Sequence, residues 1–128
     1  MDNNKILLVY GFDSIEVEAL KGLLNKANLP KVKKLEKSMG RMVIADIVRG
    51  LKIDTFDLTM PEVKMVLFNN LTDEELNEGV ALIRNNFEPR PILAVVTQAS
   101  EKWTLKYLLD HLIEENLWAI KNKGTTNF

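Results

Sequence analysis

The chain has 128 residues, a net charge of −1 and no cysteine. A chain of this length can bury enough surface for an independent hydrophobic core. The lack of cysteine excludes disulfides, thiolate nucleophiles and cysteine metal sites. The balanced charge provides no overall field that would attract nucleic acid or anionic lipid. We therefore expect no nucleic acid and no membrane among the partners.

The two ends of the chain indicate its compartment and its domain boundaries. The first residues lack the positive start and the long apolar stretch of a signal peptide. No apolar run approaches the ~20 residues that a membrane helix needs. We expect a cytoplasmic protein in which residues 1–120 form a single α/β domain. Residues 121–128 are mostly polar, and we expect a mobile tail there.

Two segments that lie 59 residues apart follow the same plan. The apolar runs Ile6–Tyr10 and Met65–Phe68 predict strands that are buried on both faces. A helix that opens with a capping box follows each run. The two boxes are Asp13 with Glu16 and Thr72 with Glu75. Identical residues also link the segments: Lys5 and Lys64, Leu8 and Leu67, Glu16 and Glu75, Leu23 and Leu82, Pro30 and Pro89. An internal duplication and the independent use of common capping signals both explain this likeness.

The remaining elements complete an alternation of strands and helices. The charged segment Lys31–Glu36 is typical of an exposed edge strand, and the apolar segment Pro91–Thr97 predicts a buried strand. Helical spacing marks Met42–Leu51 and Lys102–Ile120. The order β-α-β-α-β-α-β-α predicts an α/β fold with a four-stranded, mostly parallel sheet in the order 2-1-3-4. The alternative is a ferredoxin-like α+β fold with an antiparallel sheet and Met42–Leu51 as an inserted helix.

Several motifs of the second half occur in a fixed order. The run V-L-F-N-N-L-T-D-E-E-L at residues 66–76 is followed by A-V-V-T at residues 94–97 and by W-T-L at residues 103–105. With these motifs, the segment from Lys64 to Trp118 resembles a family of short bacterial proteins classified only as a domain of unknown function. The resemblance implies a bacterial source, and it supplies no activity and no catalytic residues.

The sequence contains no standard nucleotide-binding or metal-binding motif. The patterns G-x-x-x-x-G-K-[ST] and G-x-G-x-x-G are absent, and the bulky Phe12 follows Gly11 after the first strand. The single histidine, His111, has no further ligands at metal-binding spacing, so we expect it on a helix surface. We therefore expect no cofactor and no metal, and an enzyme is the less favoured class of protein.

One set of polar residues is placed where a ligand would bind. In an open parallel sheet, ligands bind beyond the carboxyl ends of the strands, and small polar side chains with one aromatic ring can line such a site. The residues predicted for this ligand site are Asp13, Asn69, Asn70, Thr97, Gln98, Ser100 and Trp103. The same residue types also serve in turns and caps. Both interpretations stay open, and an antiparallel sheet would separate these residues.

These observations favour a non-enzymatic interaction or regulatory module with an unidentified protein partner. The alternative is a small polar-ligand-binding protein, including an enzyme, that uses the strand ends. The strand order 2-1-3-4 leaves the apolar segment Pro91–Thr97 at an edge of the sheet, where it is a pairing hazard. We therefore expect a symmetric homodimer. The basic segment Lys31–Arg41 and the acidic segment Asp73–Glu78 would help to orient the two copies.

Overall fold

The computed structural model describes residues 4–51 and 59–121, with side chains described as far as residue 117. The tail predicted at residues 121–128 lies outside this range, apart from Lys121, which ends the last helix. The chain forms two compact units. The sheet unit comprises Met1–Glu36 and Glu62–Thr97, and the helical unit comprises Lys37–Pro61 and Gln98–Phe128. That residues 1–120 fold as one domain stays a prediction.

Ten elements of secondary structure follow each other along the described chain. They are β1 (Ile6–Tyr10), α1 (Ser14–Lys26), β2 (Val32–Leu35), a 3-10 helix (Lys37–Met39), α2 (Ile44–Val48), β3 (Met65–Asn69), α3 (Asp73–Asn86), β4 (Ile92–Val95), a second 3-10 helix (Ser100–Lys102) and α4 (Leu105–Lys121). Strands and helices are therefore interspersed, as in an α/β protein.

The four strands form one open sheet in the predicted order, β2-β1-β3-β4. β1 pairs with β2 in parallel, and β3 pairs with β4 in parallel. The central pair, β1 with β3, is antiparallel. The sheet is therefore mixed and mostly parallel. The antiparallel ferredoxin-like alternative is wrong, because each β-α-β repeat pairs its own two strands in parallel.

The antiparallel central pair is the main departure from the expected sheet. The expectation assumed that every helical segment returns the chain so that the next strand runs parallel to the first. α2 has five residues and rises only about 8 Å. A strand of five residues, such as β1, extends about 17 Å. α2 is thus too short by itself to return the chain along a strand, and β3 enters the sheet in the opposite direction to β1.

Both helices of the sheet unit begin with the predicted capping boxes. The Glu16 N–H donates to Asp13 Oδ1 at 2.8 Å, and the Asp13 N–H donates to Glu16 Oε1 at 3.0 Å. The Glu75 N–H donates to Thr72 Oγ1 at 3.1 Å, and the Thr72 N–H donates to Glu75 Oε1 at 2.8 Å. Each box satisfies backbone N–H groups that have no partner within the helix. Local sequence therefore determines where α1 and α3 start.

The helices α1 and α3 bury their apolar sides in one core cluster of the sheet unit. Its buried members alternate along β1 and β3 and recur at helical spacing in α1, and α3 contributes one of them, Ile83. They are Leu7, Val9, Phe12, Val17, Leu20, Leu24, Val66, Phe68 and Ile83. The strand residues between them, such as Leu8 and Leu67, are also fully buried, so the central strands read as continuous apolar runs.

The helical unit joins the first turns of α2 and α4 through the backbone. The Ile44 N–H donates to the Trp103 carbonyl oxygen at 2.9 Å, and the Leu105 N–H donates to the Met42 carbonyl oxygen, also at 2.9 Å. The buried apolar side chains of this unit are Met39, Met42, Ile44, Ile47, Met60, Leu105, Leu108 and Leu109. Of the helices in the described part of the chain, none has the length and apolar character needed to cross a membrane.

Candidate functional site: the open edge of the sheet

An approximate twofold axis relates the two halves of the sheet unit. We call residues 5–35 repeat 1 and residues 64–95 repeat 2. Leu8 pairs with Leu67 across the central strands, and Leu67 is its counterpart 59 residues further along the chain. Because the pairing is antiparallel, residues before Leu8 face residues after Leu67, as a twofold axis through this pair requires.

Two ion pairs cross between the repeats in the same symmetric way. Lys5 Nζ lies 3.1 Å from Glu75 Oε1, and the counterpart Lys64 pairs with Glu16. In both pairs the lysine side chain is 36% exposed and the glutamate side chain is 25% exposed. Each glutamate also closes the capping box of its own helix. A single carboxylate therefore links the start of a helix to a lysine of the other repeat.

Hydrogen bonding lowers the pKa of Glu75 below its ordinary value. The largest cause is the bond from the Thr72 backbone N–H, and the bond from Lys5 adds to it. Both bonds favour the charged carboxylate. The acidic start of α3 thus has a structural role in capping and in pairing with repeat 1.

The ligand-site residues predicted in the sheet unit divide between two opposite ends of the sheet. Asp13 follows the carboxyl end of β1, whereas Asn69 and Asn70 stand at the end of β3 and Thr97 follows β4. Since β1 is antiparallel to β3 and β3 is parallel to β4, Asp13 lies at one end and the other three lie at the opposite end. The convergence expected from a parallel sheet does not occur.

Three of these residues have turn or cap roles. Asp13 caps α1, and Asn69 Nδ2 donates to the Asn4 carbonyl oxygen at 2.7 Å. Asn70 has a φ of 63°, and its counterpart Gly11 has a φ of 84°. Both residues adopt the left-handed backbone that favours glycine or asparagine. The turn and cap interpretation therefore accounts for these three side chains.

The other predicted ligand residues belong to the helical unit. Gln98 is exposed, Ser100 is buried in the second 3-10 helix, and Trp103 is half-buried. The Trp103 ring contacts the rings of Tyr107 and His111, neither of which we predicted as a site residue. The spacing of four residues between Trp103, Tyr107 and His111 was the sequence signal that could have predicted these ring contacts. That the predicted residues bind a ligand stays a prediction.

β4 is the last strand of the sheet, and among the described residues no strand pairs with its outer edge. The N–H groups of Ile92 and Val96 donate to carbonyl oxygens on the β3 side at 2.9 and 3.0 Å. Because alternate residues direct their main-chain groups to opposite sides, Leu93 and Val95 direct theirs away from β3. Within residues 4–51 and 59–121 these outward groups have no partner. The Val95 side chain is also 41% exposed.

The other edge of the sheet, at β2, differs in charge. β2 carries Lys33 and Lys34 among its four residues, whereas the sequence of β4 is I-L-A-V. Lysines at an edge oppose pairing with another chain. The strand β4 contains no lysine or other charged residue. The outward main-chain direction of Leu93 and Val95 follows from the hydrogen bonds of Ile92 and Val96 to the β3 side, and the uniformly apolar sequence of β4 carries no signal for it.

An open groove of about 500 Å³ lies beside α1 and the start of β2. Its walls include Lys21, which pairs with Glu18 at 3.4 Å. None of the predicted ligand residues lines this groove. Among the described residues, no group of three or more histidine, aspartate or glutamate side chains is arranged to hold a metal ion.

The fold and its edges define a small mixed α/β protein built from two β-α-β repeats. Residues 64–118 match the model of a family described as "Domain of unknown function (DUF3783)", which confirms the resemblance predicted for this segment. The match begins at Lys64, the counterpart of Lys5, and covers repeat 2 together with most of α4. The family description assigns no activity. No curated protein and no solved structure matches the chain.

Proposed function

We propose that the protein is a cytoplasmic, bacterial, non-enzymatic interaction module that forms a symmetric homodimer through the outer edge of β4. The observation that carries this proposal is the apolar edge at Leu93 and Val95, whose outward main-chain groups have no partner within the described residues 4–51 and 59–121. Such an edge is a template for another strand, and a protein that keeps it must cover it or use it.

Twofold symmetry pairs the two β4 strands in an antiparallel arrangement. With Ala94 of both copies at the axis, Leu93 of one copy faces Val95 of the other. Their outward N–H and C=O groups then exchange hydrogen bonds. Leu93 packs against the core cluster on the side of α1 and α3, and Val95 shares that face because side chains alternate along a strand. Pairing therefore also covers the exposed Val95 side chain.

The charges near the ends of β4 complement each other in this dimer. Arg90 is exposed just before β4, and Asp73 and Glu74 are exposed in the first turn of α3. α3 starts at the end of the sheet where β4 finishes. Antiparallel pairing brings Arg90 of one copy toward the acidic turn of the other, which favours this orientation. Within the basic segment Lys31–Arg41, residues Val32–Leu35 form β2, at the other edge of the sheet.

Size-exclusion chromatography with light scattering, at micromolar concentration in physiological salt, tests the dimer. The wild type should have about twice the chain mass of 14.6 kDa. Val95→Pro removes an outward N–H and leaves the bonds to β3 in place, so this variant should be a monomer. Lys34→Pro is the matched control, because Lys34 directs its N–H outward at the β2 edge. The control should remain a dimer.

A wild-type mass near 14.6 kDa across a dilution series would contradict the proposal. A dimer that persists in Val95→Pro would also contradict it, because the contact would then lie elsewhere. If circular dichroism shows that Val95→Pro does not fold, Val95→Lys replaces it in the same test, since a charge at the edge opposes pairing.

A further inference from the structure

The helical unit carries a row of three aromatic rings on one side of α4 and of the turn before it. Trp103, Tyr107 and His111 are spaced by four residues, which aligns side chains along one side of a helix. The Trp103 ring lies edge-on to Tyr107, with centroids 4.8 Å apart, and 5.1 Å from His111. Tyr107 and His111 are nearly parallel, at 6.4 Å and 14°. The rings form one continuous surface, which we call the aromatic row.

The aromatic row lies outside the apolar core. Tyr107 is 55% exposed, and the His111 side chain is 40% exposed. The buried side of the same helix is formed by other residues, Leu105, Leu108 and Leu109. Contiguous exposed rings on a protein surface mark interaction sites more often than single exposed apolar residues do.

Three exposed carboxylates lie on α4 near the aromatic row. Glu115 lies 3.2 Å from His111 Nε2, and Asp110 pairs with Lys106 at 2.7 Å. Glu114 is exposed and follows Tyr107 by seven residues, which places it on the same side of the helix. Residues 101–117 contain four acidic and two basic side chains, so this stretch is negative. The surface therefore combines aromatic faces with excess negative charge.

We propose that the aromatic row docks an arginine-rich segment of another protein. A guanidinium group stacks on the faces of tryptophan and tyrosine rings, and Glu114 and Glu115 supply carboxylates for its N–H groups. Trp and Tyr also provide most of the binding energy in many interfaces. This surface belongs to the helical unit and uses none of the β4 residues, so the inference does not depend on the dimer.

Fluorescence anisotropy with a labelled peptide of alternating arginine and glycine tests this inference on the full chain. The wild type should bind the peptide saturably, and a peptide with citrulline in place of arginine should not bind. Tyr107→Ala should weaken binding about fivefold or more, as the loss of a cation–π contact predicts. Glu114→Gln should weaken binding and reduce its dependence on salt. Ile15→Ala is the control, since Ile15 is 81% exposed on α1, and it should bind like the wild type.

Three results would overturn the inference. They are no saturable binding of the arginine peptide at millimolar concentration, equal binding of the citrulline peptide, and unchanged binding by Tyr107→Ala. Tyr107→Leu keeps an apolar side chain without the ring and should show the same loss, which separates a lost ring contact from a misfolded helix. Val95→Pro should still bind the peptide, so a failure of the dimer and a failure of this site are distinguishable.

Discussion

Repeat 1 and repeat 2 have the same local signals but fill the core with different side chains. Each repeat has a capping box, a left-handed turn residue and a lysine that reaches the other repeat. In the core, Val9 and Leu20 of repeat 1 correspond to Phe68 and Gly79 of repeat 2. A Cβ on Gly79 would stand 3.1 Å from the Phe68 ring. In repeat 2 the larger strand residue, Phe68, fills the space that a helix side chain at Gly79 would occupy. The total side-chain volume packed at this pair of positions is therefore similar in the two repeats.

The repeats diverge most at the sheet edges. β2 contains two lysines, whereas all four residues of β4 are apolar. The surfaces where the repeats meet each other are alike, and the surfaces that face outward are not. Residues at the centre of the sheet must fit the other repeat, whereas residues at the outer edges do not have this constraint.

The largest expected difference between the repeats is in the stability lost when alanine replaces the left-handed turn residue. A Cβ on Gly11 would lie 2.1 Å from the Val63 carbonyl oxygen, at a φ of 84°. Gly11→Ala should therefore destabilise the protein by about 3 kcal/mol or more. Asn70→Ala, at the counterpart position, should cost only about 1 kcal/mol. Urea unfolding measures both. Equal costs would mean that the close approach at Gly11 does not distinguish the repeats.

Exchanging the core pair of repeat 2 for that of repeat 1 tests the volume argument. Phe68→Val should leave a cavity that costs about 2 kcal/mol, and Gly79→Leu should overpack the core at a cost of about 1–3 kcal/mol. The double variant should be more stable than the sum of the two predicts, by about 1–2 kcal/mol in a double-mutant cycle. Additive costs would show that the two positions do not compensate each other.

The capping box of repeat 2 predicts a smaller effect. Thr72→Ala removes the oxygen that accepts the Glu75 N–H and should destabilise the protein by about 1 kcal/mol. Thr72→Ser keeps that oxygen and should be nearly neutral. Asp13→Ala should behave like Thr72→Ala, because Asp13 accepts the matching bond in repeat 1. If alanine and serine have the same effect at position 72, capping does not act through the hydroxyl.

The smallest effect concerns pH and the cross-repeat ion pair. The folded-state pKa of Glu75 is lowered relative to an unfolded value of about 4.3. The charged carboxylate therefore contributes stability above that value, and the contribution is lost as the pH falls through the folded pKa. Unfolding free energy between pH 7 and pH 3 should fall less steeply in Glu75→Gln than in the wild type.

Glu78→Gln is the matched control for this pH experiment. Glu78 is exposed on the same helix, outside the first turn and the capping box, and its replacement removes a carboxylate while the ion pair of Glu75 with Lys5 stays in place. The same slope for Glu75→Gln and the wild type would contradict a role for the ion pair in stability.

The sequence was sufficient for the elements that depend on neighbouring residues. A capping box needs two residues three positions apart, so Thr72 and Glu75 indicated the start of α3 before any fold was known. The lysines of β2 likewise indicated an edge strand, and right-handed crossovers between alternating strands and helices gave the strand order, which left β4 at the other edge. The predicted ligand site could not be derived in this way, because Asp13 and Asn69 lie at the same end of the sheet only if β1 and β3 run in the same direction.

Local sequence was enough to predict the strands, the two capping boxes and the strand order, whereas the direction of β3 depends on tertiary contacts. The apolar runs of β1 and β3 suit a buried strand in either direction, so their side chains carry no signal for it. In the antiparallel pairing, Lys5 at the start of β1 lies beside the end of β3, where α3 begins with Glu75. A parallel pairing would place Lys5 near Lys64 and leave both glutamates without these partners. Contacts between residues 70 positions apart therefore favour this direction of the strand, and no local pattern can express them.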